Sequence, residues 1–382
     1  METNSTEVDK PQKDETSWKE SPFLIIKGFL MGSADIVPGV SGGTMALITG
    51  IYDRLIFAIK SADWTAVKTA LTFQFRKFFE HFHWKFFLLL FSGIFLAVIF
   101  FTRIVPLQIY MFTHPEIVYG LFFGLIVGSI YLLMSEIEKR ERTPLNFLYL
   151  VAGALIGFWV VTLVPADTPE TFWFVFLSGS VAICAMILPG ISGSYLLLIF
   201  RKYDYILSQL GTIGTIDTAQ ALLNLVPFFI GALVGIILFS RLLSWLLKSF
   251  HTATLMVLIG FLVGSLYVIW PYQDRTFEDH VRNTEIVEMT DPIVEELQQR
   301  ESVPAAPEYK RLGEIENPDA MFDRLKRVEI ETVKRKLISS QPYIPGYNWP
   351  KDDEAIDLYG GLAGMGIGLS LIFAISYLRK KQ

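Results

Sequence analysis

The stretch SADIVPGVSGGTMALITG, Ser33–Gly50, sits inside an otherwise apolar region of the chain. It places a carboxylate, a proline, four glycines and several hydroxyls where a continuous membrane helix would be expected. Proline removes a helix hydrogen bond and glycine weakens the helix, so the span is broken within the apolar layer. A second stretch, CAMILPGISGSYLLLIF, Cys184–Phe200, breaks another apolar block in the same way.

The surroundings explain what is being broken. Of 382 residues, 52% are hydrophobic and 19% charged, and the apolar residues are gathered in blocks. Soluble domains carry about 25% charged residues, so the pattern is that of a polytopic membrane protein. Blocks long enough to cross a bilayer run over 86–106, 116–134, 147–164, 224–247, 253–270 and 358–378. The arms of the first break, Pro22–Val37 and Thr44–Ile59, hold 16 residues each. At 1.5 Å per residue that is about 24 Å, short of a hydrocarbon core of about 30 Å. In the second copy Arg201, Lys202 and Asp204 close the returning arm almost at once. Short arms around a Pro-Gly break predict re-entrant helical hairpins.

The two breaks belong to a longer repeat. Pro38, Gly39, Ser41 and Gly42 match Pro189, Gly190, Ser192 and Gly193 at an offset of 151, as do Tyr52 and Asp53 with Tyr203 and Asp204. Gly93 and Arg103 match Gly231 and Arg241 at 138, and GLIVGSIY (Gly124–Tyr131) matches GFLVGSLY (Gly260–Tyr267) at 136. Three full crossings separate the hairpins, and an odd number turns the second unit upside down. The expected fold is an all-α polytopic membrane protein of two inverted repeats. Each repeat is a re-entrant hairpin plus two transmembrane helices, with linking and C-terminal transmembrane helices added. Such architectures recur in secondary transporters, with the site where the broken helices meet.

The expected organisation is a polar N-terminus (1–21), repeat 1 (22–135), a linker with one helix (136–171), repeat 2 (172–270), an acidic insertion (271–357) and a last helix with a basic tail (358–382). No cleavable secretory signal is expected in polar Met1–Glu20. Lys and Arg cluster in the connections after the first hairpin, around 139–142 and at the C-terminus, whereas 165–171 and 208–223 have none. Both termini are therefore expected in the cytoplasm. The insertion carries 20 acidic and 12 basic residues, a local charge of −8 that leaves +3 on the rest of a chain whose total is −5. It is expected outside and is a candidate surface for an extracytoplasmic partner. Its segment Asp319–Ser340 reads as helix-like.

Glycine at a break lets a ligand approach backbone N–H groups, and a broken helix favours an anion at its new N-terminus. The candidate anion site is therefore Ser41, Gly42, Gly43, Thr44, Ser192, Gly193 and Ser194, with Pro38, Gly39, Pro189 and Gly190 forming the breaks. The bland reading is tip packing and helix capping. Arg103 and Arg241 are the repeat-matched cations, suited to bidentate phosphate recognition. Snorkelling to the interface is their alternative. Arg54 and Arg201 are weaker candidates, since Arg54 neighbours Asp53. Asp35, the one carboxylate of the first hairpin, is a proton-coupling candidate, with helix capping as the alternative. Tyr131, Tyr267, Trp159 and Trp270 read as interfacial belt residues. Cys184 is the only cysteine, which excludes an intrachain disulfide. There is no P-loop and no convincing Ser/His/Asp set. No cofactor, metal or nucleic-acid partner is expected, and no enzyme activity.

GFLMGSADIVPGVSGGTMALITGIYDRLI (Gly28–Ile56), with LPGISGSYLLLIF (Leu188–Phe200) and KYDYIL after it, resembles the signature segments of the bacterial undecaprenyl-phosphate (polyprenyl-phosphate) translocases. The resemblance covers about Pro22–Trp270 and the last span. It implies that the C55 carrier's phosphate head returns from the outer to the inner leaflet of the cytoplasmic membrane, for reuse in peptidoglycan and other envelope polymers. It also implies a link to the proton motive force and a membrane-lipid partner, and the chain is a candidate homo-oligomer. Secondary transport of a small anion or ion through the same inverted-repeat site is the alternative. A lipid phosphatase or transferase would need a nucleophile and base at depth, and the few histidines, none in an apolar hairpin, argue against it.

Overall fold

The computed structural model describes residues 16–37, 40–105, 107–163, 168–214, 217–299, 308–316, 326–346 and 357–380. In chain order the helices are α1 (Ser21–Asp35), α2 (Gly42–Ile48), α3 (Tyr52–Lys60), α4 (Trp64–Leu71), α5 (Phe75–His81), α6 (Trp84–Ile99), α7 (Leu107–Thr113), α8 (Pro115–Glu136), α9 (Pro144–Val161), α10 (Phe172–Ile187), α11 (Gly193–Ile199), α12 (Tyr203–Gly211), α13 (Thr218–Ser249) and α14 (His251–Ile269). Strand β1 (Gln273–Glu288), α15 (Pro292–Gln298), β2 (Glu308–Glu316), β3 (Arg327–Pro342) and α16 (Leu358–Lys380) complete the chain. A π-helical turn, Phe100–Ile104, extends α6.

Among the described residues, six helices are long and apolar enough to cross a membrane: Trp84–Ile104, Pro115–Glu136, Pro144–Val161, Thr218–Ser249, His251–Ile269 and Leu358–Tyr377. The chain is a multi-pass membrane protein. The apolar windows of α8 and α14 are 56% buried and the other four only 17–22%, so α8 and α14 are the most enclosed spans. Side chains such as Phe95, Leu155, Trp159 and Leu233 face outward, as lipid-facing positions do.

The chain divides into two compact units. One holds residues 1–104, 124–269 and 368–382, the other 105–123 and 270–367. In the first unit α1 runs parallel to α6 with little between the backbones. A side chain at Gly28 would strike the Leu90 carbonyl, and one at Gly93 the Ile25 carbonyl. The same contacts recur between α10 and α13, where Gly179 faces the Phe228 carbonyl and Gly231 the Phe176 carbonyl. Positions 28 and 179, and 25 and 176, are 151 apart, while 90 and 228, and 93 and 231, are 138 apart. The packing therefore shares one register in both halves. Glycines bring helices close enough for van der Waals contact to hold them in lipid. Gly153 and Gly260 do the same between α9 and α14.

The returning arm of the first hairpin is not one helix, as its length suggests. It bends by 119° between α2 and α3, at Thr49–Ile51. Gly50 takes φ +69° there, and at the matched turn between α11 and α12 Arg201 takes φ +49°.

The second unit corrects the all-α reading. It contains a three-stranded antiparallel sheet in the order β1-β3-β2. Asp319–Ser340 is not a helix where it is described: from Arg327 it is β3, and 319–325 lie outside the described residues. Val328, Ile330 and Val333 of β3 are buried, as are Tyr309 and Val294, and this β-branched pattern outweighs the helix-like spacing of the charges. Near the sheet, the Phe112 ring lies tilted against Phe277 with centroids 5.2 Å apart, and Trp270 donates to the Tyr343 carbonyl at 2.8 Å. Trp270 is half-buried with its indole N–H paired, whereas Tyr131 and Trp159 are exposed.

Candidate functional site

The two breaks meet. The Gly190 N–H donates to Thr44 Oγ1 at 2.9 Å, and Ser41 Oγ donates to the carbonyls of Leu188 at 3.2 Å and Met186 at 3.5 Å. Gly43 lies against the Ile187 carbonyl, which a Cβ there would approach to 2.6 Å. Ser41 and Thr44 are almost completely buried. Gly190 holds φ +81°, a left-handed turn that glycine adopts without strain. Each tip thus supplies a donor to the other, and a broken backbone finds partners inside the protein.

Around this contact the candidates divide into two groups. Ser41 and Thr44 are committed between the tips in this conformation. Ser192 and Ser194 share a hydrogen bond at 2.9 Å, with Ser194 exposed and Ser192 half-buried. Gly42 donates its N–H to Asp35 Oδ1 at 2.6 Å, and a Cβ on Gly42 would come 2.5 Å from the other carboxylate oxygen. Asp35 therefore closes the first hairpin on itself while its side chain stays accessible. Gly193 packs on α10 beside Ala182 and Met186. Pro189 is buried, and Pro38 and Gly39 lie outside the described residues.

Arg103 sits in the π-helical turn and Arg241 in the unbroken α13. Both are exposed, and neither has a carboxylate partner among the described residues. Their depth follows from the parallel packing. Gly32 is level with Ala97, and Arg103 lies six residues further on. At 1.5 Å per residue that is about 9 Å beyond Gly32 along α6, towards the Ser41 end of the hairpin. Gly235 is level with Ile183, so Arg241 lies towards the Ser192 end of the second hairpin in the same way. Arg54 instead pairs with Glu20 at 3.0 Å and donates to Thr16 at 2.6 Å, lying over Phe86 rather than serving Asp53.

The family model described as undecaprenyl phosphate translocase-like matches residues 31–287. The chain belongs to that family. A Vibrio cholerae protein named polyprenyl-phosphate transporter is 38% identical over 249 residues, covering 65% of this chain and 77% of the relative. A Staphylococcus aureus protein of the same name is 31% identical over 258 residues, covering 65% and 85%. No solved structure matches. Family and relatives are named as transporters and not as enzymes. The matched region takes in both breaks and both arginines of this family member.

Residue types did not reveal the acceptors of the tip contact, because the carbonyls of Met186 and Leu188 carry no side-chain signature. Tyr52, matched to Tyr203 in the repeat, is buried. Its hydroxyl, like that of Ser244, is buried without a partner among the described residues. Lys202, next to the strained Arg201, is buried with its ammonium on the Thr168 carbonyl at 3.0 Å and the rings of Phe174 and Tyr205 at 5.5 and 5.8 Å.

Proposed function

We propose that this protein carries the phosphate head of undecaprenyl phosphate from the outer to the inner leaflet of the bacterial cytoplasmic membrane, returning the carrier for envelope synthesis. The observation that carries the reading is the hydrogen-bonded meeting of the two Pro-Gly breaks. The names of two relatives supply the cargo class, a polyprenyl phosphate. A lipid monophosphate needs a polar pocket for its head and a lateral path along which its tail stays in lipid. Glycine-lined tips, with two arginines at a similar depth that have no carboxylate partner among the described residues, suit the head. The α6, α8 and α9 spans lie between the hairpins, and that odd number supports entry from opposite faces, with the tips meeting between the leaflets.

In this reading both termini and the basic connections are cytoplasmic, and the sheet-bearing segment is outside. Arg103 and Arg241 take the head in turn, one towards each face. Asp35 carries the proton that couples movement to the proton motive force, because a carboxylate at that depth is costly unless it works. The test is uptake of fluorescent C55 monophosphate head groups into protected proteoliposome leaflets under an imposed proton gradient. Arg103→Gln with Arg241→Gln should abolish movement in a protein that still folds. Unchanged movement by the double variant, or movement of inorganic phosphate and not of lipid, sinks the reading.

A further inference from the structure

In the second compact unit, Arg275 of β1 lies with its guanidinium carbon 4.2 Å above the centre of the Tyr119 ring of α8. Its Nη2 is buried and has no hydrogen-bond partner among the described residues. Burial pulls the guanidinium below its ordinary range, while Tyr119, Glu116 and Tyr343 act the other way. Glu116 lies one helical turn before Tyr119, yet the pair is held at a distance, with no ion pair between Glu116 and Arg275 among the described residues. A buried guanidinium with an unused N–H edge is costly, and a planar fork is suited to a tetrahedral oxyanion or a carboxylate.

The neighbours decide between the two. Tyr343 is almost fully buried, its ring tilted beside that of Tyr272 with centroids 6.2 Å apart. Burial, with Glu116 adding to it, pushes the Tyr343 hydroxyl up to about 12, so it remains a donor at neutral pH. The Arg275 charge reaches the hydroxyls of both Tyr119 and Tyr343. Two guanidinium N–H groups and two phenol donors outnumber the two oxygens of a carboxylate and suit a tetrahedral group. Glu116, with Asp357 and Asp274, supplies opposing negative charge around the same box.

We propose that Arg275, Tyr119 and Tyr343 form a binding site for a phosphate group, with Glu116 as the resident counter-charge that an incoming phosphate displaces. Free phosphate and a lipid monophosphate head share this chemistry. The three residues all belong to the second compact unit, and the site does not rest on translocation.

The test is equilibrium binding to the full-length protein in phosphatidylcholine nanodiscs, with radiolabelled inorganic phosphate in one arm and C55 monophosphate doped into the disc in the other. Arg275→Gln should remove one binding equivalent, and Arg275→Lys should weaken it at least tenfold, because a point charge cannot replace the stacked fork. Glu116→Gln should tighten the same equivalent about three- to tenfold, a gain that misfolding cannot produce. Binding in the first arm alone assigns free phosphate, and binding in the second alone assigns the lipid head. Unchanged binding by Arg275→Gln in both arms, or unchanged or weaker binding by Glu116→Gln, overturns the site. A protein that keeps this equivalent but moves no lipid would fail the transport reading and uphold this one.

Discussion

Thr44→Val is the sharpest perturbation of the tip contact. Valine keeps the shape of threonine but removes the acceptor of the Gly190 N–H, at a position with no exposed surface. The donor is left buried, which costs about 1–3 kcal/mol. That cost falls on the conformation in which the tips touch and not on one in which Gly190 meets water or substrate. The closed-to-open ratio should therefore drop roughly 5- to 150-fold. Hydrogen exchange of peptides spanning Met186–Gly193 in nanodiscs reads this directly. The Gly190 amide should exchange faster by that factor, while amides of α8 and α14 stay unchanged. Thr44→Ser should restore protection. Ser41→Ala should act on the same contact, so the double variant should fall short of additive. If Thr44→Val leaves the Gly190 amide as protected as in the wild type, the tips are not held together by these bonds.

Other outcomes follow from the same geometry. Arg103→Lys and Arg241→Lys should each lose transport at least tenfold with unchanged thermal stability, whereas a pure snorkelling role would leave transport intact. Asp35→Asn keeps an oxygen for the Gly42 N–H, so the protein should fold normally while the pH dependence of transport flattens; matching pH profiles would remove Asp35 from coupling. Gly190→Ala should destabilise by at least about 1–2 kcal/mol, since it forces a side chain into a left-handed turn 2.7 Å from the Phe261 carbonyl, and unfolding in detergent measures the loss. Asp63 caps α4 through the Ala66 N–H at 3.0 Å and meets His81 at 2.9 Å. Burial acts to raise its carboxyl, but the Ala66 N–H and His81 outweigh it and hold it below the ordinary range. That stabilisation is present above the unfolded carboxylate range and is lost as pH falls through the lowered value, so α4 amides should lose protection only in strong acid, whereas in Asp63→Asn, with no carboxyl to titrate, their protection should be lower already at neutral pH and this acid step should vanish.

The six spans were legible because length and unbroken apolarity leave one reading, and their ends shift by only a few residues. The breaks were legible because Pro and Gly inside an apolar run have few other meanings. The sheet was missed because the β3 charges Glu329, Glu331, Lys334 and Arg335 mimic helical pairing, while Val328 and Ile330 alternate as a strand requires. The bend at Gly50 was hidden by composition, since the apolar residues continue through it. The partner of Arg54 was misplaced because Glu20, 34 positions away, is nearer in space than the adjacent Asp53 suggests. At the tips the sequence named the hydroxyls but not their acceptors, which are backbone carbonyls.

Opposed entry of the two hairpins is the claim on which transport depends. With Cys184 replaced by alanine, single cysteines at Trp18, Lys60, Thr171 and Gly211 can be labelled with a membrane-impermeant maleimide in intact cells and in inverted vesicles. The account predicts that positions 18 and 60 react only in inverted vesicles, and 171 and 211 only in intact cells. Reaction of 18 and 60 from opposite sides, or of all four from one side, would contradict it.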